Sequence, residues 1–231
     1  MPWPVTLFDV DGTLVHAAGA GRRSMERALG ERCGPLDGRL EPLRLDGSTD
    51  RLIVRDALGL LGRPFDEATC DAVLDRYLEH LAVEIAAPGY RVLPGVAAAL
   101  ESLRERGAVV GLCTGNVAGG ARLKLARGGL DRYFAFDGAG VYGFAADGEA
   151  RERIVEAALR RASARLARRL DPGEALVVGD TPRDVAAARH AGCPVLAVAT
   201  GSYGAAELAA CGADHVVESL EDPAAVRLLV G

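Results

Sequence analysis

The chain has 231 residues, 49% of them hydrophobic, enough to enclose a sizeable core as one large domain or as a domain carrying an insertion. Lys and Arg number 27 against 32 Asp and Glu, a net charge of −5, and aromatic residues make up only 5%, so nothing points to a general binder of nucleic acid or of an anionic membrane, and base-stacking platforms are argued against. Cys33, Cys70, Cys113, Cys193 and Cys211 are odd in number and lack Cys-x-x-Cys spacing, and no apolar run is long enough to span a membrane, so the expectation is a cytoplasmic protein with reduced thiols.

Val5 to Val10 read as a strand buried on both faces. It ends in Asp9 and Asp11, spaced i, i+2, followed by Gly12, which permits a sharp turn. Two carboxylates so close repel each other, and burying them calls for a cation or a shared proton. His16 to Gly21 read as a flexible link, after which three helical patterns follow: Ser24 to Arg32, Asp50 to Leu61, and a third whose Val73, Leu74, Tyr77, Leu78, Leu81 and Ile85 keep the helical period. Ala86 to Gly95, punctuated by Pro88 and Pro94, form a second link.

From Val96 the pattern alternates. A helix to Arg106 precedes the strand Val109 to Cys113, which runs into Thr114-Gly115-Asn116. A short strand is predicted near Phe134, then a loop through Gly138, Gly140 and Gly143. That loop matches the spacing of a dinucleotide fingerprint but opens no helix, so a nicotinamide site is the weaker reading. A helix through Ile154, Ala158 and Leu166, the buried strand Ala175 to Gly179, a helix to His190, and strands at Val195 to Ala199 and His215 to Val217 complete the chain. Strands alternating with helices imply an α/β fold with a doubly wound parallel sheet, into which residues 16–86 insert as a helical segment.

Ligands of such sheets bind beyond the carboxyl ends of the strands. Asp9, Asp11, Thr114, Asn116, Asp180 and Asp184 all follow strand ends. Carboxylates with waters suit Mg²⁺, and turn amides with a Thr hydroxyl suit a phosphate group.

In order and spacing, Asp9-Val-Asp11-Gly12-Thr13, Thr114-Gly115-Asn116 and Gly179-Asp180-Thr-Pro-Arg-Asp184 resemble the first, second and fourth motifs of the haloacid dehalogenase-like hydrolases, in their capped phosphatase branch. The resemblance implies a catalytic core at 1–15 and 87–231 and a helical cap at 16–86. It implies that Asp9 is the nucleophile and Asp11 the general acid and base. Thr114, Gly115 and Asn116 would hold the phosphoryl oxygens. Mg²⁺ would be bound by Asp9, the Asp11 backbone carbonyl and Asp180, with Asp184 acting directly or through water.

A Lys or Arg is expected as the third motif. The only lysine, Lys124, falls in mid-helix after the second motif, so Arg151 is the candidate and Arg153 its competitor. The position of Asp46 to Asp50 resembles the loop through which capped phosphatases close over substrate, which implies Ser48 and Thr49 as candidate contacts, with plain helix capping the competing reading. His16, His80, His190 and His215 read as structural.

The expected function is hydrolysis of a small phosphorylated metabolite, phosphoglycolate by analogy, by a monomer or homodimer without nucleic-acid or membrane partners. A sugar-phosphate mutase and a metal-independent 2-haloacid dehalogenase are alternatives on the same fold.

Overall fold

The computed structural model describes residues 3–136 and 138–230. Strands are β1 (Val5–Phe8), β2 (Val15–His16), β3 (Arg91–Val92), β4 (Val109–Cys113), β5 (Val141–Gly143), β6 (Ala175–Gly179), β7 (Val195–Val198) and β8 (His215–Val217). Helices are α1 (Ala20–Cys33), α2 (Asp50–Leu60), α3 (Glu67–Glu84), α4 (Val96–Glu105), α5 (Ala118–Arg127), α6 (Arg151–Arg165), α7 (Pro182–Ala191), α8 (Ala205–Ala210) and α9 (Pro223–Val230).

Six strands form one sheet in the order β5-β4-β1-β6-β7-β8, every neighbouring pair parallel. Because side chains alternate across a strand, each inner strand feeds two cores. Phe8, Leu112, Val178 and Val198 share one face with residues of α4, α5 and α9, while Leu7, Cys113, Val177 and Ala197 share the other with residues of α6, α7 and α8. The first strand therefore has no exposed side, as its near-continuous apolar run anticipates. It lies between β4 and β6, where the strand order reverses, which is the position at which open α/β sheets carry their crevice.

The segment carrying α1, α2 and α3 has its own apolar core, built on Met25, Leu29, Ile53, Leu58, Val73, Tyr77 and Leu81. It leaves and re-enters the sheet domain through β2 and β3, which pair antiparallel, so the links expected to be irregular include a small ribbon. The first helix begins at Ala20, earlier than the pattern from Ser24 indicated, after Gly19 at φ 76°. No described helix is long and apolar enough to cross a membrane.

One strand was misplaced by the sequence pattern. Phe134 follows a short 3₁₀ turn at Asp131–Tyr133 and plugs one of the sheet's two cores, and it pairs with no strand. The edge strand is instead β5, within the stretch expected to be a loop. Gly143 is needed there for its small size: a Cβ on it would lie 1.9 Å from the Ile154 carbonyl oxygen, so α6 can press against the strand only where no side chain intervenes.

Candidate active site

At the carboxyl edge of the sheet, β1, β4 and β6 each end in chemistry. Asp9 follows β1 directly, and Gly12, at φ 79°, turns the chain so that Asp11 and Thr13 stand beside it. A Cβ on Gly12 would lie 2.2 Å from Asp180 Oδ2, so the turn also has to be bare for the two strand ends to meet. Thr13 donates its hydroxyl proton to Asp180 Oδ1 at 2.9 Å, joining the first motif to the fourth across 167 residues. After β6, Thr181 caps α7 with Pro182 in the first helical position, and Asp184 closes a capping box: its Oδ2 accepts from the Thr181 N–H at 3.0 Å and hydroxyl at 2.7 Å. Asp184 thus caps α7 and at the same time stands with Asp9 and Asp180.

One carboxylate oxygen from each of Asp9, Asp180 and Asp184 lies within 4.8 Å of the other two, and all three residues are buried. Arg151, the first residue of α6, reaches into this cluster: Nη2 is 2.8 Å from Asp9 Oδ1, and Nε donates to Asp184 Oδ1 at 2.8 Å. Arg153 points elsewhere and pairs with Glu156 at the surface, which separates the two arginines that the sequence left in competition.

One guanidinium against three carboxylates leaves the cluster about two charges short, and the acidities respond. Burial, with further repulsion from Asp184 and Asp11, outweighs Arg151 and a Thr114 hydrogen bond and raises the Asp9 pKa to about 6. Burial and repulsion from Asp9 and Asp184 push Asp180 well above the usual carboxylate range. Such a surplus of buried negative charge fits a divalent cation with oxygen ligands. Asp9 and Asp180 are the residues with most to gain from one, since Asp184 already has both oxygens occupied by Arg151 and Thr181.

The Asp11 carboxylate is outside the cluster. Its Oδ2 accepts from Asn116 Nδ2 at 2.9 Å and from Lys124 Nζ at 2.6 Å. Lys124 is therefore a correction to the sequence reading. Set aside as mid-helical, it is buried and faces the site, lying seven residues, about two helical turns, beyond the N-cap Val117 and so on the same side as the start of the helix. Burial works against its charge, but Asp11, Tyr77 and Asp50 outweigh that and hold it protonated. Its singularity in an arginine-rich chain was the available signal.

Thr114, which hydrogen-bonds Asp9, and Asn116 are both buried, with Asn116 Nδ2 donating to Thr114 Oγ1 at 2.8 Å. Gly115 is a point of close approach: a Cβ there would lie 2.1 Å from the Ser48 carbonyl oxygen and 2.9 Å from Arg151 Nη1. The loop at Gly47 to Asp50 of the helical segment is thus seated directly on the second motif. Its two candidate contacts divide. Ser48 lines the cavity with a buried hydroxyl that has no hydrogen-bond partner. The Thr49 hydroxyl is committed to capping α2 through Leu52 N–H and to the Glu149 carbonyl, and it does not line the cavity.

That cavity, of about 450 Å³, lies between the sheet edge and the helical segment and is walled by Asp9, Asp11, His16, Arg22, Ser48 and Asp50 among others. His16, read as structural from the sequence, stands at the wall of the cavity with Nδ1 3.2 Å from Arg91 Nη1. The other missed residue is Asp50, whose Oδ2 accepts from Val117 N–H at 2.7 Å and whose N–H donates to the Gly115 carbonyl at 2.7 Å.

A family model described as haloacid dehalogenase-like hydrolase matches residues 4–192. The phosphoglycolate phosphatase of Rhodospirillum rubrum is 36% identical over 213 residues, covering 90% of this chain and 83% of its own length. A plasmid-encoded phosphoglycolate phosphatase of Cupriavidus necator is 32% identical over 227 residues, covering 96% and 91% respectively. A hydrolase from Pseudomonas syringae of known structure superposes with a TM-score of 0.71 at 22% identity, over 94% of each chain.

Proposed function

The chain belongs to the haloacid dehalogenase-like hydrolases, and on that premise we propose that this phosphatase hydrolyses a small phosphomonoester through a phosphorylated Asp9, with Mg²⁺ as cofactor. The observation that carries the reading is the meeting of Asp9 with Arg151, Asp180 and Asp184 at the floor of a cavity, with Thr114 alongside.

In the first step an Asp9 carboxylate oxygen attacks phosphorus, forming the acyl phosphate bond while the ester P–O bond breaks. Asp11 delivers its proton to the departing alcohol oxygen. In the second, Asp11 takes a proton from water, whose oxygen attacks phosphorus, releasing phosphate and restoring Asp9. Arg151 orients Asp9 and offsets negative charge on the transferred group, and Thr114 with the amides of Gly115 and Asn116 holds its oxygens. Mg²⁺, bound by Asp9, Asp180 and the Asp11 carbonyl, with Asp184 acting directly or through water, would supply the charge that lets an anionic nucleophile approach an anionic phosphate.

The helical segment roofs the cavity and would exclude water during transfer, with Ser48 as its substrate contact. Two relatives named as phosphoglycolate phosphatases make 2-phosphoglycolate the first substrate to try. The test is turnover of p-nitrophenyl phosphate and 2-phosphoglycolate with and without Mg²⁺. Activity that needs the metal and disappears in Asp9→Asn is expected; undiminished activity in that variant would overturn the mechanism.

A further inference from the structure

The reaction as written leaves the only lysine of the chain without a role. Lys124 is buried at the join between α5 and the helical segment, with Nζ 2.6 Å from Asp11 Oδ2 and 2.5 Å from Asn116 Oδ1. Asn116 donates to the same Asp11 oxygen through Nδ2. The side chain of Asp11 is 44% exposed, so without these donors it would be free to turn among rotamers. Two donors braced against each other hold one of its oxygens and leave the second for proton transfer.

The helix that carries Lys124 cannot finish its own start. Val117 occupies the N-cap with an apolar side chain, and the residue three further on, Gly120, has no side chain to reach back to the free Val117 N–H. Asp50 does so from the helical segment, while its own N–H secures the Gly115 carbonyl. Tyr77 of α3 stands on the other side. Gly119 eases the approach of α3, since a Cβ on it would lie 2.9 Å from the end of the Leu78 side chain, while Gly120 leaves Tyr77 at ordinary contact distance, 3.5 Å from where its Cβ would be.

We propose that Asp50 and Lys124 are positioning residues that set the Asp11 carboxyl group for proton transfer, so that the helical cap completes the general acid of the core. The inference rests on the phosphomonoesterase reading. Asp50 fixes the Gly115 to Val117 turn and the start of α5. The helix in turn presents Lys124, and the turn presents Asn116, to Asp11.

A positioned general acid matters most when the leaving oxygen is basic, which gives a readout that mere loss of stability does not move. The experiment compares kcat/KM for an aryl ester with an acidic leaving group, 2,4-dinitrophenyl phosphate, and for whichever of 2-phosphoglycolate, glycerol 2-phosphate and glucose 6-phosphate the wild type hydrolyses best. Lys124→Met is expected to lower kcat/KM for the alkyl ester about 100-fold and for the aryl ester less than about tenfold. Asp50→Ala should shift the alkyl-to-aryl ratio in the same direction by about tenfold. Asp50→Asn, which keeps an acceptor for Val117, should stay within about threefold of the wild-type ratio. If Lys124→Met fails to fold by circular dichroism, the Asp50 pair decides alone. An active wild type whose folded variants lose both esters by the same factor overturns this inference and leaves the phosphatase reading standing. A wild type inactive on every ester overturns that reading and the inference with it.

Discussion

Replacing Asp50 by Asn should change how the stability of the fold depends on pH. The carboxyl group is buried where the helical segment meets the sheet domain, and desolvation pushes its pKa from 3.8 up to about 6, against the opposing effects of the Lys124 charge and the Val117 hydrogen bond. A raised value means that the native state holds the proton more tightly than the unfolded chain does. The contribution of Asp50 to stability is therefore fully present below the unfolded value and is lost as pH climbs through the folded one. At about 1.4 kcal/mol per pH unit, that interval corresponds to about 3 kcal/mol. The amide does not titrate, yet its carbonyl still accepts from Val117 N–H, so packing and the hydrogen bond are kept while the charge is removed.

Urea denaturation of both proteins in metal-free buffer between about pH 4 and about pH 8 isolates the effect, because groups common to the two cancel in the difference. The difference should move in favour of the variant by about 2.5 kcal/mol across the range, with most of the change complete by about pH 6. Parallel curves would refute the reasoning. So would a variant that loses ground as pH rises, since that would mean Lys124 stabilises the Asp50 anion by more than burial penalises it.

Arg151→Met should destabilise the metal-free protein near neutral pH by about 3–5 kcal/mol in the same assay, because it strands the carboxylates of Asp9 and Asp184 without their buried partner. Asp180→Asn should raise stability in chelator at neutral pH, since it removes one member of a mutually repelling trio, while increasing the Mg²⁺ concentration needed for half-maximal turnover. Gly115→Ala should cost about 1–3 kcal/mol and depress activity on both aryl and alkyl esters, because its Cβ would lie 2.1 Å from the Ser48 carbonyl oxygen and would force the seated loop away. Thermal melts and steady-state rates check the last two.

The sheet domain was largely legible because its information is local. A strand buried on both faces announces itself as an apolar run, and the residue after such a strand has little choice but to sit at the carboxyl edge of a parallel sheet. Asp9, Thr114 and Asp180 are read in that way. The edge strand at Val141–Gly143 was not, because a short glycine-bearing stretch has no pattern of its own and becomes a strand only by pairing with β4 and admitting α6.

Taken alone, the sequence determined the alternating α/β order, the helical insertion between the first and second motifs, and the acidic and hydroxyl residues that the strand ends carry. Those follow from periodicity and from chemistry confined to a few neighbouring positions. Tertiary structure alone decided that Arg151 rather than Arg153 meets Asp9, that Thr49 is turned away while Ser48 faces the cavity, and that Asp50 and Lys124 converge near Asp11. Each of these depends on which side of a helix faces which neighbour once the cap is seated. The deciding contacts join residues that are far apart in the chain: 142 positions separate Asp9 from Arg151, and 67 separate Asp50 from Val117. No local pattern encodes them, because the burial that gives a lone lysine or a helix-opening aspartate its role exists only after the two apolar cores have packed together.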